Sequence, residues 1–462
     1  MENYTNFRFQ PVHQSRRDFF AIAGRVASIS VVATIGTADC KASSVLRQND
    51  DVVSVTDYGP IGQADDTAVL DRALATGKAV SIPAGSMLVL ASDVFLRPGQ
   101  LLFGAGPGAR IRFKSNRSAD NVKLHLSNGA TVRNLCFEEF DVSGRTGLYG
   151  TIFAAGVSRC LIQQVEIYGS SSTGMMFLDS KNIVVDTCYV HDTMADGIHA
   201  QRGSQRIAIH DCRIERPGDD GVAFVSHGYG RYGAVAHCRV RNTTIIDVRK
   251  TGSGIAVIGA RDISVVDCRI ENTPMSGIRI ASADFGAEGA TIGEHIAVTG
   301  NTIIRTGSGR PVSNNGGIFV EGCRDVTIRS NTIVSPQTWG IATSNVVQDL
   351  QIVANVITDP GDVGMFISTA PGGQSSQRLW NTAAERIDSR NLVIQGNSIV
   401  RPVRTGIHVS GQKGDLPIAV TVRDNIVYGP PAGSGRRVIQ VVFVDGNAGA
   451  VALQNNKDRS LP

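Results

Sequence analysis

The sequence has few charges and few aromatic side chains for its length of 462 residues. Charged residues make up 19 % of it and aromatic residues 6 %, whereas charged residues make up about 25 % of an average globular domain. A coiled coil and a disordered chain are excluded, because each needs more charge than this. Eight cysteines in so long a chain exclude a small disulfide scaffold. The net charge of +4 provides no basic stripe, so no nucleic-acid partner is expected.

Glycine, by contrast, is abundant. It accounts for 51 residues, which is about 11 % of the chain against a usual ~7 %. Together with the low charge and low aromatic content, this indicates many short strands joined by tight turns. A chain of this length would form roughly two to four domains, unless the fold is an elongated repeat.

The N-terminal segment has the composition of an export signal. Residues 15–20 read SRRDFF, and a mostly apolar stretch up to Ala38 follows, interrupted by Arg25. This pattern resembles a twin-arginine signal peptide, which predicts a signal over residues 1–38 and a linker over 39–51. The resemblance implies the twin-arginine (Tat) translocase as a partner during export and a periplasmic or secreted mature protein. The apolar stretch is short and is broken by a charge, so no stable membrane span is expected.

A repeat organises the chain beyond residue 150. A glycine followed by isoleucine, valine or methionine recurs at a nearly constant basic spacing of about two dozen positions. These glycines are Gly174, Gly197, Gly221, Gly254, Gly277, Gly317, Gly340, Gly364 and Gly406. Each unit also contains a strand with apolar residues at every other position, as at 207–209 and 326–328. A column of cysteine and asparagine comes three residues after that strand: Cys188, Cys212, Cys238, Cys268, Asn301, Asn331, Asn355, Asn397 and Asn425.

This period, with alternating strands, predicts a coil of parallel β-structure in which each unit buries its apolar face against its neighbours. Equivalent positions on neighbouring turns then lie about 4.8 Å apart. The asparagines of the column can hydrogen-bond along the stack, and the cysteines can replace them as small buried residues. The thiols are therefore predicted to be structural, because a metal site would need convergent ligands instead of a linear column.

Residues 52–113 form a second recognisable block. They contain the sequences VTDYG, ADDT and VSIPAG, with a helical stretch between the last two that ends at Ala75. This block resembles the opening part of pectate-lyase-like β-helices. The helix, capped by Asp66 or Thr67, is predicted to cover the first coil, whose strand edges would otherwise be exposed.

The predicted fold is all-β: a right-handed, single-stranded parallel β-helix with a short N-terminal capping helix. One domain is predicted over residues 52–462, with the capping part at 52–113 and the repeats at 150–450. The right hand follows from the usual chirality of parallel crossovers and from the family resemblance.

Two turns carry aspartates directly before the repeat glycine. Asp196 precedes Gly197, and Asp219 and Asp220 precede Gly221. Since they are one turn apart in register, Asp196 and Asp220 are predicted to stack, with Asp219 beside them. Carboxylates this close raise one another's pKa, which a general acid beside a general base requires. A purely structural role stays open, because Asp-Gly is also a common turn sequence.

The order of these motifs resembles polygalacturonase-type glycoside hydrolases. That family has Asn-Thr-Asp, Gly-Asp-Asp, Gly-His-Gly and Arg-Ile-Lys on successive turns. This chain has MAD ending at Asp196, GDD ending at Asp220, GSG around Ser253 and RIA from Arg279. The resemblance implies that Asp219 protonates the leaving oxygen, that Asp196 and Asp220 activate water, and that the anomeric carbon is inverted. It also implies that Arg279 holds a substrate carboxylate.

Two positions depart from that pattern. Ser253 stands where the family has histidine, and Ala281 stands where it has lysine. A polar partner of the acid and half of the carboxylate clamp are therefore missing, and His199 or His227 is a candidate to substitute. His199 and Arg279 are predicted to occupy equivalent positions on different turns and to point the same way.

Long insertions follow the same strand of several units, at residues 226–234, 281–293, 368–390 and 410–417. Insertions stacked on one side often line the binding face of a repeat protein. Aromatic residues in them can stack on sugar faces, and cations lie near the aspartates in the repeat. The aromatic residues are Tyr229, Tyr232, Phe285 and Trp380, and the cations are Arg231, Lys250 and Arg279. The sequence therefore predicts a long, acidic polysaccharide as the partner.

Two other functions stay open. In a polysaccharide lyase or epimerase, Asp196, Asp219 and Asp220 would hold Ca²⁺, and Lys250 or Arg279 would abstract the proton beside a uronate carboxyl. Alternatively, the protein binds glycan or serves the cell envelope without catalysis, because the whole chain also resembles a family of Tat-exported repeat proteins without an assigned activity. A hydrolase would need no cofactor and no metal.

Overall fold

Short parallel strands define the fold in a computed structural model of the protein. The structure describes residues 51–114, 123–140, 142, 144–147, 149–284, 289–309, 316–368, 388–411, 420–429, 440–445 and 451–460. The predicted signal over 1–38 lies outside the described residues, and so does the predicted linker except for its last residue. Phe285 and Trp380 also lie outside them. Within the described ranges, no helix is both long enough and apolar enough to cross a membrane.

Three parallel sheets run along the coil, and the chain visits each of them in turn. In the described part of the chain, sheet 1 has 15 strands, sheet 2 has 14 and sheet 3 has 13. Sheet 1 consists of Val52–Ser54, Ala79–Ile82, Leu101–Gly104, Thr131–Arg133, Leu161–Gln163, Lys181–Asp186, Gln205–His210, Arg239–Arg241, Arg261–Val266, Glu294–Thr299, Arg324–Arg329, Gln348–Val353, Arg390–Gln395, Val420–Arg423 and Val451–Gln454.

Sheet 2 consists of Met87–Leu90, Arg110–Lys114, Cys136–Phe140, Glu166–Tyr168, Tyr189–His191, Arg213–Glu215, Thr244–Ile246, Arg269–Thr273, Thr302–Thr306, Thr332–Val334, Val356–Thr358, Ser398–Val400, Ile426–Gly429 and Lys457–Ser460. Sheet 3 consists of Val94–Phe95, Leu124–His125, Gly150–Ala155, Thr173–Leu178, Ile198–Gln201, Val222–Val225, Ile255–Ile258, Ile278–Ala281, Gly316–Glu321, Trp339–Ser344, Met365–Ser368, Thr405–Ser410 and Gln440–Val444. A short antiparallel pair, Ala283–Asp284 with Ala290–Thr291, lies outside these sheets.

Each strand pairs in register with the equivalent strand of the next coil. In sheet 3, Met175 pairs with Ile198, Ile198 with Val222, and Val222 with Ile255. One sequence repeat is therefore one coil, and the longer glycine spacings occur where loops lengthen a coil. The predicted coil of parallel β-strands is confirmed.

Alternate side chains point into the coil and form one continuous apolar core. In the strand Gln205–His210, Ile207 and Ile209 are fully buried, whereas Arg206 is exposed. The repeat glycines are needed where coils meet closely. A Cβ on Gly197 would lie 2.6 Å from the backbone oxygen of Gly221 and 2.6 Å from Cγ2 of Ile214. Any side chain would clash there, which explains why glycine recurs at this position.

The predicted cysteine and asparagine column forms a buried ladder. Asn331 Nδ2 donates to Asn355 Oδ1 at 2.9 Å and to the Val298 carbonyl at 3.0 Å. The seven described cysteines are all buried and none of them forms a disulfide, as expected of the structural thiols predicted for the column. Burial raises the pKa of Cys238 to about 12, which makes it a poor nucleophile.

A helix over Thr67–Ala75, preceded by the 3₁₀ helix Val55–Tyr58, covers the first coil as predicted and buries Leu70 and Leu74. Its N-cap is Asp66, but the cap hydrogen bond comes from Asp65, whose Oδ1 accepts the Thr67 N–H at 3.0 Å. The Asp66 carboxylate instead accepts the Val89 N–H at 2.9 Å. Asp66 is therefore used to tie the helix to the first strand of sheet 2.

Loops leave sheet 3 on both sides. We call the side where its strands begin the leading edge and the side where they end the trailing edge. In the described part of the chain, the insertions identified in the sequence begin after strands of sheet 3, such as Val222–Val225 and Ile278–Ala281, and so start at the trailing edge. The first of them contains a short helix, Tyr229–Tyr232. Other long connections precede sheet 3 strands, as at 247–254, and so lie at the leading edge.

Candidate active site

Asp196 and Asp220 lie on consecutive coils at the leading edge of sheet 3. The Asp220 N–H donates to Asp196 Oδ1 at 2.9 Å, and the Ser253 N–H donates to Asp220 Oδ1 at 2.6 Å. Each carboxylate therefore accepts the backbone N–H of the coil that follows, which fixes its position. This stacking agrees with the register that the sequence repeat predicts.

Asp219 lies beside this pair. One oxygen from each of the three carboxyls lies within 4.8 Å of the others. Arg145 Nη1 donates to Asp219 Oδ2 at 2.9 Å, and the Asp219 side chain is 32 % exposed. The three predicted aspartates thus form one group, and a ligand can reach Asp219 from solvent.

Burial and mutual repulsion raise two of the pKa values in this group. Burial, followed by the charge of Asp196, raises the pKa of Asp219, and the ion pair with Arg145 opposes the shift. Burial, together with Asp196 and Asp219, raises the pKa of Asp220 well above its usual range, against the opposing effects of the Ser253 N–H and the charge of Arg279. Both carboxyls therefore keep a proton to higher pH than an isolated aspartate, as an acid catalyst requires.

His199 orients Asp196. Its Nδ1 lies 2.6 Å from Asp196 Oδ2, and its Nε2 is buried and finds no hydrogen-bond partner among the described residues. With its other oxygen held by the Asp220 N–H, the Asp196 carboxylate is fixed at both ends. The sequence offered His199 as a substitute for the family histidine, and the structure places it directly on an aspartate of the group.

The outward-facing row of sheet 3 that contains His199 has small side chains at its next two positions. His199 pairs with Ala223, Ala223 with Ala256, and Ala256 with Arg279. His199 and Arg279 therefore share one row, as predicted, and stand three coils or roughly 14 Å apart. The two residues between these larger side chains are alanines, which add little bulk to the row and are 1 % and 2 % exposed. We call this stretch of small side chains, Ala223 and Ala256, the alanine trough.

Arg279 is paired at the far end of the trough. Its Nη2 lies 3.5 Å from Glu321 Oε2, and the two side chains are 29 % and 27 % exposed. Its Nε is buried and has no hydrogen-bond partner in the described part of the chain. The guanidinium that the sequence assigned to a substrate carboxylate thus already faces a carboxylate of the protein.

The other predicted binding residues are divided between the two edges. Lys250 is exposed at the leading edge, two residues before Gly252, which packs against the Asp219 backbone. His227 and Tyr229 follow the strand Val222–Val225 at the trailing edge, roughly 20 Å along the strand direction from Asp220. The structure therefore brings Lys250 to the side of the aspartates and places His227 and Tyr229 across the sheet from them.

Two residues of the site were missed in the sequence. Arg145 comes from the connection before Gly150, ahead of the regular repeats, and no motif marks it. Glu321 ends a sheet 3 strand two residues beyond Phe319, the partner of Arg279. Once the register is known, the spacing of two places Glu321 on the same face as Phe319, so alternation within this strand was the available signal.

The family comparison agrees with this architecture. Residues 122–303 and 288–457 match the family described as "Right handed beta helix region", and the chain belongs to this family. The three parallel sheets are those of a right-handed parallel β-helix.

Two relatives come from phages. The pre-neck appendage protein of Bacillus phage B103 is 25 % identical over 205 residues, which is 42 % of this chain and 23 % of that protein. The pre-mature bacteriophage phi29 gene product 12 superposes with a TM-score of 0.64 at 16 % identity, over 88 % of this chain and 56 % of the other. This chain therefore spans less than two thirds of the length of either phage protein.

Similar solved structures also include carbohydrate-active enzymes. The catalytic unit of a GH87 α-1,3-glucanase from Streptomyces thermodiastaticus strain HF3-3 has a TM-score of 0.56 and 20 % identity, over 91 % of this chain and 70 % of that one. The A-module of mannuronan C-5 epimerase AlgE6 from Azotobacter vinelandii has a TM-score of 0.60 and 14 % identity, over 88 % and 99 %. Three GH87 α-1,3-glucanase structures with TM-scores of 0.57, 0.55 and 0.52 each carry one Asp→Ala substitution and a bound tetrasaccharide or nigerose. At these identities the likeness is one of fold.

Proposed function

We propose that the protein is an exported glycoside hydrolase that cleaves a polysaccharide by acid–base catalysis with inversion at the anomeric carbon. The observation that carries the proposal is the group of Asp196, Asp219 and Asp220, whose oxygens approach within 4.8 Å at an open sheet edge. Paired carboxyls with different proton affinities are the usual machinery of glycoside hydrolysis.

Asp219 is the general acid in this proposal. It is partly exposed and its pKa is raised, so it holds a proton where the leaving oxygen of a bound glycan can receive it. As the glycosidic C–O bond breaks, the proton moves from Asp219 to that oxygen and Asp219 becomes a carboxylate. Arg145, already 2.9 Å from Asp219 Oδ2, stabilises the carboxylate that forms.

Asp196 and Asp220 hold the attacking water. Two hydrogen bonds of about 2.8 Å from one water molecule, at a tetrahedral angle, span about 4.6 Å, which matches oxygens that lie within 4.8 Å of one another. The water oxygen bonds to the anomeric carbon, and its proton passes to the Asp196 carboxylate, while Asp220 is the second hydrogen-bond partner that holds the water. Attack on the side opposite to the leaving group inverts the configuration. His199 is a positioning residue, since it acts on substrate through Asp196.

The aspartate spacing in the GH87 variants supports the proposal. Two of the three substituted aspartates are adjacent in sequence, and the third precedes them. Asp219 and Asp220 are likewise adjacent, and each follows Asp196 by the same number of positions as its counterpart in those variants. The alanine trough lies beside the group, and we place the sugar that is cleaved over Ala223 and Ala256.

Export and the substrate class rest on the sequence. The SRRDFF motif and the apolar stretch behind it support passage through the Tat translocase to the periplasm or the medium. A polysaccharide suits a row of coils that repeats every ~4.8 Å, because successive sugars can lie along it. The sequence prediction of an acidic polysaccharide rested on Arg231, Lys250 and Arg279, and of these the Arg279 guanidinium is paired with Glu321.

A polysaccharide lyase or epimerase is the second candidate. Three carboxylate oxygens within 4.8 Å form the hard-oxygen ligand set that suits Ca²⁺, and Lys250 lies at the same edge as a potential base. Such an enzyme would need Ca²⁺ and a uronate substrate, and as a lyase it would leave an unsaturated product that absorbs ultraviolet light.

The proposal is tested by substitution of the acid. Wild-type protein, incubated with a panel of neutral and acidic polysaccharides, is expected to release reducing ends. Asp219→Asn should lower the rate on the same polysaccharide by about 10²- to 10⁴-fold, because the leaving oxygen is no longer protonated. Asp211→Asn is the matched control, since Asp211 belongs to a different acidic group with Asp186 and His210 on sheet 1. Binding without turnover in wild type, or equal rates in the Asp219 and Asp211 variants, would contradict a hydrolase.

A further inference from the structure

The charge of Arg279, at the far end of the alanine trough, affects which glycans the site can accept. The charge of Arg279 reaches the aspartates, since it lowers the pKa of Asp220 against the effects that raise it. A free guanidinium in this position would attract the carboxylate of a uronic acid, which is the role that the sequence predicted. In the structure Arg279 faces Glu321 instead, with 3.5 Å between Nη2 and Oε2.

Glu321 is held for this contact by the sheet. Phe319 pairs with Arg279, and Glu321 stands two residues further along the same strand, so it projects on the same face as Arg279. Asn345, from the next coil, donates its Nδ2 to Glu321 Oε1 at 3.0 Å. One oxygen of Glu321 is thus held by a side-chain amide, and the other is directed at the guanidinium.

The pair has a direct consequence for a charged ligand. Both side chains are about a quarter exposed, so a sugar in the trough would contact them. A uronate carboxylate there would meet Arg279 only in competition with Glu321, and it would also lie near three aspartates. A hydroxyl group of a neutral sugar can accept from the remaining N–H donors of Arg279 without bringing a second negative charge to Glu321.

We propose that Glu321 is a specificity-determining residue that compensates the charge of Arg279, so that the trough accepts a neutral sugar and rejects a uronate. This inference rests on the proposed function, because it assigns the substrate class of the same site. Glu321 takes no part in proton transfer, and Arg279 serves as a hydrogen-bond donor to the sugar instead of a carboxylate clamp.

The test measures binding in the absence of turnover. Asp219→Asn serves as the parent protein, and Glu321→Gln is added to it, because glutamine keeps the size of the side chain and an oxygen for Asn345. Oligogalacturonate is the acidic probe and nigerose-type oligosaccharide is the neutral probe, each titrated by calorimetry. Glu294→Gln on the same parent is the matched control, since Glu294 forms a similar ion pair with Arg324 on sheet 1.

We expect the Glu321→Gln protein to bind oligogalacturonate at least about tenfold more tightly than its parent, with the gain lost at high salt, because Arg279 is then free to pair with the uronate. The Glu294→Gln protein should bind it no better than the parent. A parent protein that already prefers oligogalacturonate would overturn the inference, as would a Glu321→Gln protein with no gain over the control. The titration measures binding and needs no hydrolysis. Failure of the proposed function would appear in a different experiment, as unchanged turnover in the Asp219→Asn variant.

Discussion

At the scale of single residues, the acid group depends on a cation that reaches it from an earlier coil. Arg145 lies three coils before Asp219, in the segment whose Thr146 N–H donates to the Ser171 carbonyl of the next coil. It nevertheless donates to Asp219 Oδ2 and lowers the pKa of that carboxyl, against the larger effects of burial and of Asp196. The pKa of Asp219, the proposed acid, is therefore set by two neighbours with opposite effects, since Asp196 raises it and Arg145 lowers it.

Replacing Arg145 should therefore move the pH profile in a defined direction. In Arg145→Met the opposing charge is gone, so the pKa of Asp219 rises further and the acid stays protonated to higher pH. The alkaline limb of kcat/KM against pH should shift to higher pH, while Arg145→Lys should keep it near the wild-type position. A limb that is unmoved in Arg145→Met, or that moves to lower pH, would contradict Asp219 as the acid.

Single residues also show where the sequence was informative. The positions of Asp196, Asp219 and Asp220 could be predicted because each precedes a repeat glycine, and the repeat fixes which residues stack. Arg145 could not be assigned to the site, because its long side chain reaches Asp219 across several coils from a segment that no spacing rule marks. Glu321 contacts Arg279 on the neighbouring coil, and alternation along its strand assigns it to the site only once the register is known.

At the scale of one strand row, the register creates the proposed sugar site. Ala223 and Ala256 lie between His199 and Arg279 on the outward face of sheet 3, beside the aspartates. Both alanines are almost completely buried, at 1 % and 2 % exposure, so a side chain larger than alanine there must displace its neighbours. A larger side chain in this row would occupy the space that the proposal gives to the sugar.

Filling the trough should therefore abolish turnover while the aspartates remain in place. Ala256→Leu is expected to lower kcat/KM by about 10²-fold or more, since a small misplacement of substrate costs that much. Ala342→Leu is the control, because Ala342 is in the same row and equally buried but lies two coils beyond Arg279. Both melting temperatures should be recorded. If the two variants lose the same activity, or if Ala256→Leu keeps wild-type activity, the sugar does not lie in the trough.

The elements themselves were largely predictable. The alternating strands and the asparagine column recur with the same period as the repeat glycines, and only stacked coils satisfy both patterns. The prediction that insertions follow the same strand of several units is met by the described loop residues 226–234, which lie at the trailing edge. The sequence places the aspartates before that strand and the insertions after it, yet His227 and Tyr229 were grouped with the aspartates, from which a strand separates them.

At the scale of the whole molecule, the fold and the chemistry have different origins. The β-helix arises from apolar alternation, glycine at close coil contacts and a buried ladder of asparagine and cysteine, all of which repeat along the chain. The proposed chemistry arises where the repeat carries acids on two adjacent coils and a loop brings Arg145 to them. Structures with this fold include phage proteins, glucanases and an epimerase, so the fold alone does not define the reaction.

The distances between the carboxyls of Asp196, Asp219 and Asp220 make the stereochemical outcome of cleavage a strict test of the proposed mechanism. Most inverting hydrolases separate their carboxyls by about 6.5 to 9.5 Å, whereas here one oxygen of each carboxyl lies within 4.8 Å of the others. Inversion in this site requires that Asp196 and Asp220 share one water while Asp219 acts on the leaving oxygen.

The most direct measurement is a proton NMR time course of polysaccharide cleavage by the wild-type protein, with ultraviolet absorbance followed in parallel and with EDTA or Ca²⁺ added. The account predicts that the first product carries the inverted anomeric configuration, that no unsaturated sugar appears, and that EDTA leaves the rate unchanged. A retained first anomer, or an ultraviolet-absorbing product that requires Ca²⁺, would contradict it.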